Sequence, residues 1–134
     1  ATLFNTAINV NYEILDNLHW KAVLTYARGR DNAGGNLPFI RPLSYQTSLH
    51  YGYKNIGLRT SLNGDFAQTS YSPEYGEDQT AAYKIWNLSA DYTFKSVFQV
   101  GAENLLNAYY STYADWGNIP RMGRNIFTSL KVNF

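Results

Sequence analysis

Only two histidines occur in the 134-residue chain, His19 and His50. Imidazole titrates near neutrality and is the commonest side-chain metal ligand. Each histidine lies in an alternating apolar/polar stretch, on the parity it shares with polar residues. If these two stretches pair without a bulge, Trp20 faces Leu49, Leu24 faces Tyr45 and His19 faces His50. Two imidazoles so placed can hold a metal ion. No third ligand type converges on them in sequence. The plainer reading is hydrogen bonding to water or to a polar domain lying against that face.

A second set of chemistry-bearing residues lies in polar loops. Tyr71 and Tyr75 stand beside Glu74, Glu77 and Asp78. Tyr113, Asp115, Trp116 and Arg121 follow Tyr109 and Tyr110 and precede Arg124. Aromatic rings with a few charges suit capture of a chelate or a ring system. Tyr71, Tyr75, Tyr113, Asp115, Trp116 and Arg121 are therefore the candidate ligand-binding residues, and the later loop is the richer of the two. The competing reading is an interfacial aromatic girdle with solvated loop tips.

No enzyme chemistry is indicated. Ser, His and Asp occur in no spacing that positions a nucleophile. Gly34-Gly35 sits in a polar loop with no helix after it, so it is no phosphate cradle. Zero cysteines exclude thiol catalysis and a disulfide framework. No cofactor is implied. The 11 basic residues against 10 acidic ones leave no electrostatic footprint for nucleic acid.

The elements that must position these residues are strands. Seven stretches alternate with a period of two, which is a strand's period. Their apolar faces are Ile8 to Ile14, Trp20 to Tyr26, Leu43 to Tyr53, Ile56 to Phe66, Trp86 to Phe94, the run from Val97, and Ile126 to Phe134. Phe127 is the one apolar residue on the polar parity of the last stretch. Short turns are expected at Leu15-Asp16-Asn17, Lys54-Asn55 and Lys95-Ser96. Long loops are expected over about Gly29–Ile40, Gln68–Ala81 and Asn107–Met122. Short and long connections therefore alternate strictly.

The 12 Tyr, 7 Phe and 3 Trp are amphipathic or aromatic residues of the kind that collect where an apolar layer meets water. Many flank the short turns, among them Tyr12, Trp20, Tyr51, Tyr53, Tyr92, Phe94 and Phe98. Short turns at one end, long loops at the other and an aromatic girdle describe an up-and-down transmembrane β-barrel of the bacterial outer membrane. The stretches run about 9–12 residues, the length that a tilted strand needs to cross a bilayer. Arg59, Asp65, Asp91, Glu103 and Lys131 then point to the lumen, where charge is tolerated. A soluble ligand-binding barrel or a sandwich shares the alternation, and a small outer-membrane pore or adhesin shares the girdle. Seven strands would leave two unpaired edges, which hydrocarbon does not tolerate. The expectation is that residues 1–134 are the C-terminal part of a longer barrel.

Three segments resemble the C-terminal end of TonB-dependent outer-membrane receptors. They are Leu37-Pro38-Phe39-Ile40-Arg41-Pro42-Leu43, the run from Val100 through Asn104-Leu105-Leu106-Asn107 to Tyr110, and Gly123-Arg124-Asn125-Ile126-Phe127 leading to Phe134. Leu106-Asn107 stands where the family commonly has Phe-Asp, and Pro120 lies three residues before Gly123 instead of next to it. The resemblance implies the last strands of a barrel of about 22 strands with a plugged lumen. The plug, the TonB-contacting segment and the earlier strands would lie outside this chain. It further implies TonB-energised uptake of a scarce nutrient such as a ferric siderophore, haem, cobalamin or another metal complex. The implied partners are the TonB complex, the protein's own plug, outer-membrane lipid, the nutrient and the β-barrel assembly machinery, with Phe134 as the assembly signal.

Overall fold

The computed structural model of the chain describes residues 1–132, so the assembly-signal expectation for Phe134 lies outside the described residues. Seven strands form one sheet: β1 (Thr2–Leu15), β2 (Leu18–Arg30), β3 (Ser44–Tyr53), β4 (Ile56–Asp65), β5 (Tyr83–Thr93), β6 (Ser96–Glu103) and β7 (Asn125–Val132). Spatial order follows chain order, and every neighbouring pair is antiparallel. This is an open all-β meander, and β1 and β7 are its edges.

Local chemistry sets the connections. Asp16-Asn17 and Lys54-Asn55 are two-residue turns, and both supply an Asn, a residue that tolerates tight turns. Lys54 takes a left-handed backbone (φ 52°). The amide side chain of Asn55 donates to the Thr93 carbonyl, which ties this turn to the next strand pair. The third short turn falls one residue earlier than the sequence suggests, at Phe94-Lys95. Ser96 already stands in ladder register with Val132, so inter-strand pairing claims it. The fifth strand also starts earlier than its apolar pattern, at Tyr83, because Asp65 and Tyr83 extend the β4–β5 ladder.

Burial inverts the usual rule for a soluble domain. Among the described residues, Ile85 is the one buried large hydrophobic, whereas Ser44, Asp65, Gln68, Ser72, Glu77, Thr80 and Asn104 are all buried. The exposed apolar residues of the strands lie mainly on one face of the sheet, with Leu3 opposite Gly29 an exception. Ile8 is 61% exposed, Ile126 71% and Leu130 64%. The opposite face carries His19, Gln46, Arg59, Asn63, Asn87, Asp91 and Glu103. A soluble barrel would bury the first face in a core; here it is open over all seven strands.

Two indole N–H groups on the apolar face are satisfied within the sheet. The Trp20 indole donates to Thr47 Oγ1 at 2.7 Å, and the Trp86 indole donates to Thr60 Oγ1 at 2.7 Å. The rows are Trp20–Leu49–Thr60–Leu88 and Ala22–Thr47–Leu62–Trp86. Each tryptophan thus reaches diagonally to the threonine of the neighbouring row. An indole N–H left bare in an apolar medium would cost about 2 kcal/mol or more, and this arrangement removes that cost.

Candidate functional site

The three long connections all leave the same end of the sheet: loop 1 (31–43), loop 2 (66–82) and loop 3 (104–124). Buried polar side chains, not apolar ones, hold them together. Glu77 of loop 2 is 5% exposed and accepts three hydrogen bonds. The donors are the Phe39 backbone N–H (3.1 Å), Gln68 Nε2 (2.7 Å) and the Ser72 backbone N–H (2.7 Å). The Gln68 carbonyl oxygen Oε1 in turn accepts from Thr80 Oγ1. Asn36 Nδ2 donates to the Tyr71 carbonyl, and the Ser72 hydroxyl donates to the Asn36 carbonyl. One carboxylate therefore joins loop 1 to loop 2.

A second carboxylate does similar work at the rim of the sheet. Asp65, the last residue of β4, is 3% exposed. Its Oδ1 accepts from Arg41 Nε (3.1 Å) and Nη2 (2.8 Å), and its Oδ2 accepts from the Tyr83 hydroxyl (2.9 Å). The Tyr83 ring stacks on Tyr110 of loop 3, with centroids 4.6 Å apart. Loops 1 and 3 thus meet at the rim of β4 and β5, the two strands that flank loop 2. Asn104 closes the base of loop 3. Its side chain bonds Ala108 through both N–H and C=O, and its Nδ2 also donates to the Met122 carbonyl.

Within loop 3, Asp115 and Arg121 form a two-pronged ion pair. Arg121 Nε donates to Asp115 Oδ2 at 2.8 Å, and Nη2 lies 2.6 Å from Oδ1. The Thr112 N–H and hydroxyl also donate to Asp115 Oδ2. The Arg121 guanidinium holds the Asp115 carboxyl at about 2, well below the usual carboxylate range. Partial burial opposes this shift, and the Thr112 donors add to it.

The loop candidates read from sequence thus fall into different situations. Asp115 and Arg121 come together and satisfy each other. Trp116, 69% exposed, lies over Gly76 of loop 2, where an added Cβ would meet the indole at 3.3 Å. Tyr75 is exposed beside it, Tyr71 is half-buried at the junction of loops 1 and 2, and Tyr113 is half-buried. None of these residues lines the cleft of about 470 Å³ at the rim of the sheet, which is formed by Tyr45, Phe66, Tyr83, Lys84 and Tyr109 with their neighbours. The hubs Glu77, Asn104 and the Arg41–Asp65–Tyr83 group were not legible as a set. Arg41 and Asp65 lie 24 residues apart in sequence, and Phe39 and Glu77 lie 38 apart.

At the short-turn end, His19 and His50 are directly opposed, as the unbulged register requires. Trp20↔Leu49 and Leu24↔Tyr45 hold as well. The imidazole centroids are 6.4 Å apart and the rings are 27° from parallel. Among the described residues no three His, Cys, Asp or Glu groups stand together as a formed metal cluster.

A one-sheet meander with short turns at one end, docked loops at the other, an open apolar face and a polar face defines a segment of a β-barrel wall. Comparison with solved structures gives the particular likeness. The chain matches the copper transporter OprC with a TM-score of 0.89 at 20% identity, over 98% of this chain and 24% of that one. At that identity the match establishes the fold, and it agrees with the fold implied by the three receptor-like segments. The chain spans about a quarter of the length of the matched structure. No protein-family model and no curated sequence matches the chain.

Proposed function

We propose that residues 1–134 are the C-terminal strands of the barrel of a TonB-dependent transporter in the bacterial outer membrane. The observation that carries this reading is the open sheet itself. Its exposed apolar face and unpaired β1 and β7 edges need lipid and further strands to complete them, and its fold superposes on a transporter barrel wall. Unpaired backbone groups in hydrocarbon cost several kcal/mol each, so further strands must close the sheet. The Leu37–Leu43, Val100–Tyr110 and Gly123–Phe127 segments support the TonB-dependent class.

On this reading the complete protein takes up a scarce nutrient, energised through TonB. The likeness to a copper transporter favours a metal ion or metal complex as cargo, among the siderophore, haem and cobalamin alternatives. The polar face lines the lumen against the protein's own plug. The docked loops form part of the outer vestibule, with Tyr75, Trp116 and Tyr109 available to a ligand. Asp115 and Arg121 act there by shaping loop 3. Uptake in cells with and without the intact protein, and with and without TonB, tests the reading across copper, ferric chelates, haem and cobalamin. Loss of uptake of one cargo in both deletions is the expected result. Uptake of every cargo unchanged by deleting the protein would defeat it.

A further inference from the structure

A row of directly paired residues near the short turns on the polar face runs Glu13–His19–His50–Arg59 across β1 to β4. Both histidines are half-buried, and the backbone ladder fixes their separation. Glu13 Oε1 lies 3.7 Å from His19 Nδ1. A metal–nitrogen bond of about 2.0–2.1 Å plus a ring radius of about 1.2 Å places a bound ion about 3.2 Å from each centroid. Two imidazoles on one ion can thus stand at most about 6.4 Å apart, and about 5.2 Å apart at a tetrahedral angle. The observed 6.4 Å is at the outer limit of that range. A side-chain rotation that brings the rings together by about 1 Å closes the chelate without moving the backbone.

We propose that His19 and His50 form a two-imidazole clamp for a first-row divalent transition-metal cation on the polar wall of the sheet. Neutral imidazoles suit borderline cations, and for nitrogen ligands Cu²⁺ binds ahead of Zn²⁺ and Ni²⁺. Water completes the coordination. Glu13 contributes by charge, attracting the cation beside His19. Arg59 opposes it from the other side of His50. The clamp rests on strand register alone, so it stands or falls separately from the transport reading.

Cu²⁺ alone, titrated into the full-length protein in detergent and followed by electron paramagnetic resonance, tests it. His19→Gln and His50→Gln should each abolish one bound Cu²⁺ per chain together with its nitrogen hyperfine pattern. Glu13→Gln should weaken that ion several-fold, and Arg59→Gln should tighten it several-fold. Unchanged Cu²⁺ stoichiometry in both histidine variants overturns the clamp, as does loss in only one of them. Because all four residues project from a sheet face without buried partners, folding is checked by retention of the heat-modifiable electrophoretic shift typical of intact barrels. If a glutamine variant fails that check, His→Asn at the same position replaces it. Retained Cu²⁺ uptake with loss of this bound ion would support the clamp and leave the transport reading intact.

Discussion

Gly101 and Phe127 stand directly opposite each other on β6 and β7, and a Cβ on Gly101 would fall 2.5 Å from the Phe127 ring. The ring therefore occupies the space above the glycine. This explains the one apolar residue on the polar parity of the last strand. Phe127 covers backbone that glycine leaves bare, as aromatic residues do opposite strand glycines.

Gly101→Val should therefore destabilise the β6–β7 pair. The new side chain meets the ring and the Leu88 carbonyl, which lies 3.0 Å from the Cβ position. A cost of about 1–3 kcal/mol is expected, as for other overpacked sites. Thermal unfolding of the full-length protein in detergent measures it. Phe127→Ala in the same background should recover part of the loss, and no recovery would argue against the ring as the obstacle.

Glu77→Ala should uncouple loop 1 from loop 2. It leaves the Phe39 N–H, the Ser72 N–H and Gln68 Nε2 without their acceptor. Each buried bare donor costs about 1–3 kcal/mol. The loss should be local, because these loops hang from an intact sheet. Limited proteolysis within residues 66–82 should quicken markedly while the barrel's melting temperature moves little. Glu77→Gln should sit between the two, since it keeps one acceptor oxygen.

Arg41→Ala should weaken the docking of loop 1 at the β4–β5 rim more than an ordinary surface change does. It strips Asp65 Oδ1 of both its donors while the carboxylate stays buried. Breaking one side of a fully buried pair costs about 3–5 kcal/mol, and because the Arg41 side chain is half exposed the loss here should fall below that range. The Tyr83 hydroxyl on Oδ2 softens that figure, so the double change Arg41→Ala with Tyr83→Phe should lose more than the sum of the singles. Additive losses would show that the carboxylate is rehydrated instead.

Loop 3 should loosen only at strong acidity. The folded Asp115 carboxyl sits at about 2, below its unfolded value of about 3.9. A depressed carboxylate contributes stability that is fully present above the unfolded value and is lost as pH falls through the folded one. The window is thus between about pH 4 and pH 2. Trp116 lies next to Asp115, so its fluorescence should change across that window. Asp115→Asn should abolish the change, because it removes the titrating group. A transition near pH 6 would point to a different group.

Trp20 and Trp86 should report lipid, and Trp116 should not. The first two lie on the open apolar face, and the third lies in a docked loop. In vesicles of brominated lipid, Trp20→Phe and Trp86→Phe should each remove quenchable fluorescence, whereas Trp116→Phe should remove unquenched fluorescence. Equal quenching of all three would contradict the assignment of the faces.

The strands, their faces and their pairing order were legible in the sequence because the side-chain period of a strand is two, and a one-residue slip would turn every apolar residue to the wrong face. That constraint was strong enough to place His19 opposite His50 across a long connection. Turn chemistry was legible too, within one residue at Phe94-Lys95. Tertiary structure decided how the loops dock. Glu77, Asp65 and Asn104 are ordinary polar residues by type. They become hubs only because folding brings donors from distant loops to their oxygens, and the strength of a buried hydrogen bond depends on that convergence, which no local pattern encodes. The same convergence separated Asp115 and Arg121, which satisfy each other, from Tyr75 and Trp116, which stay exposed.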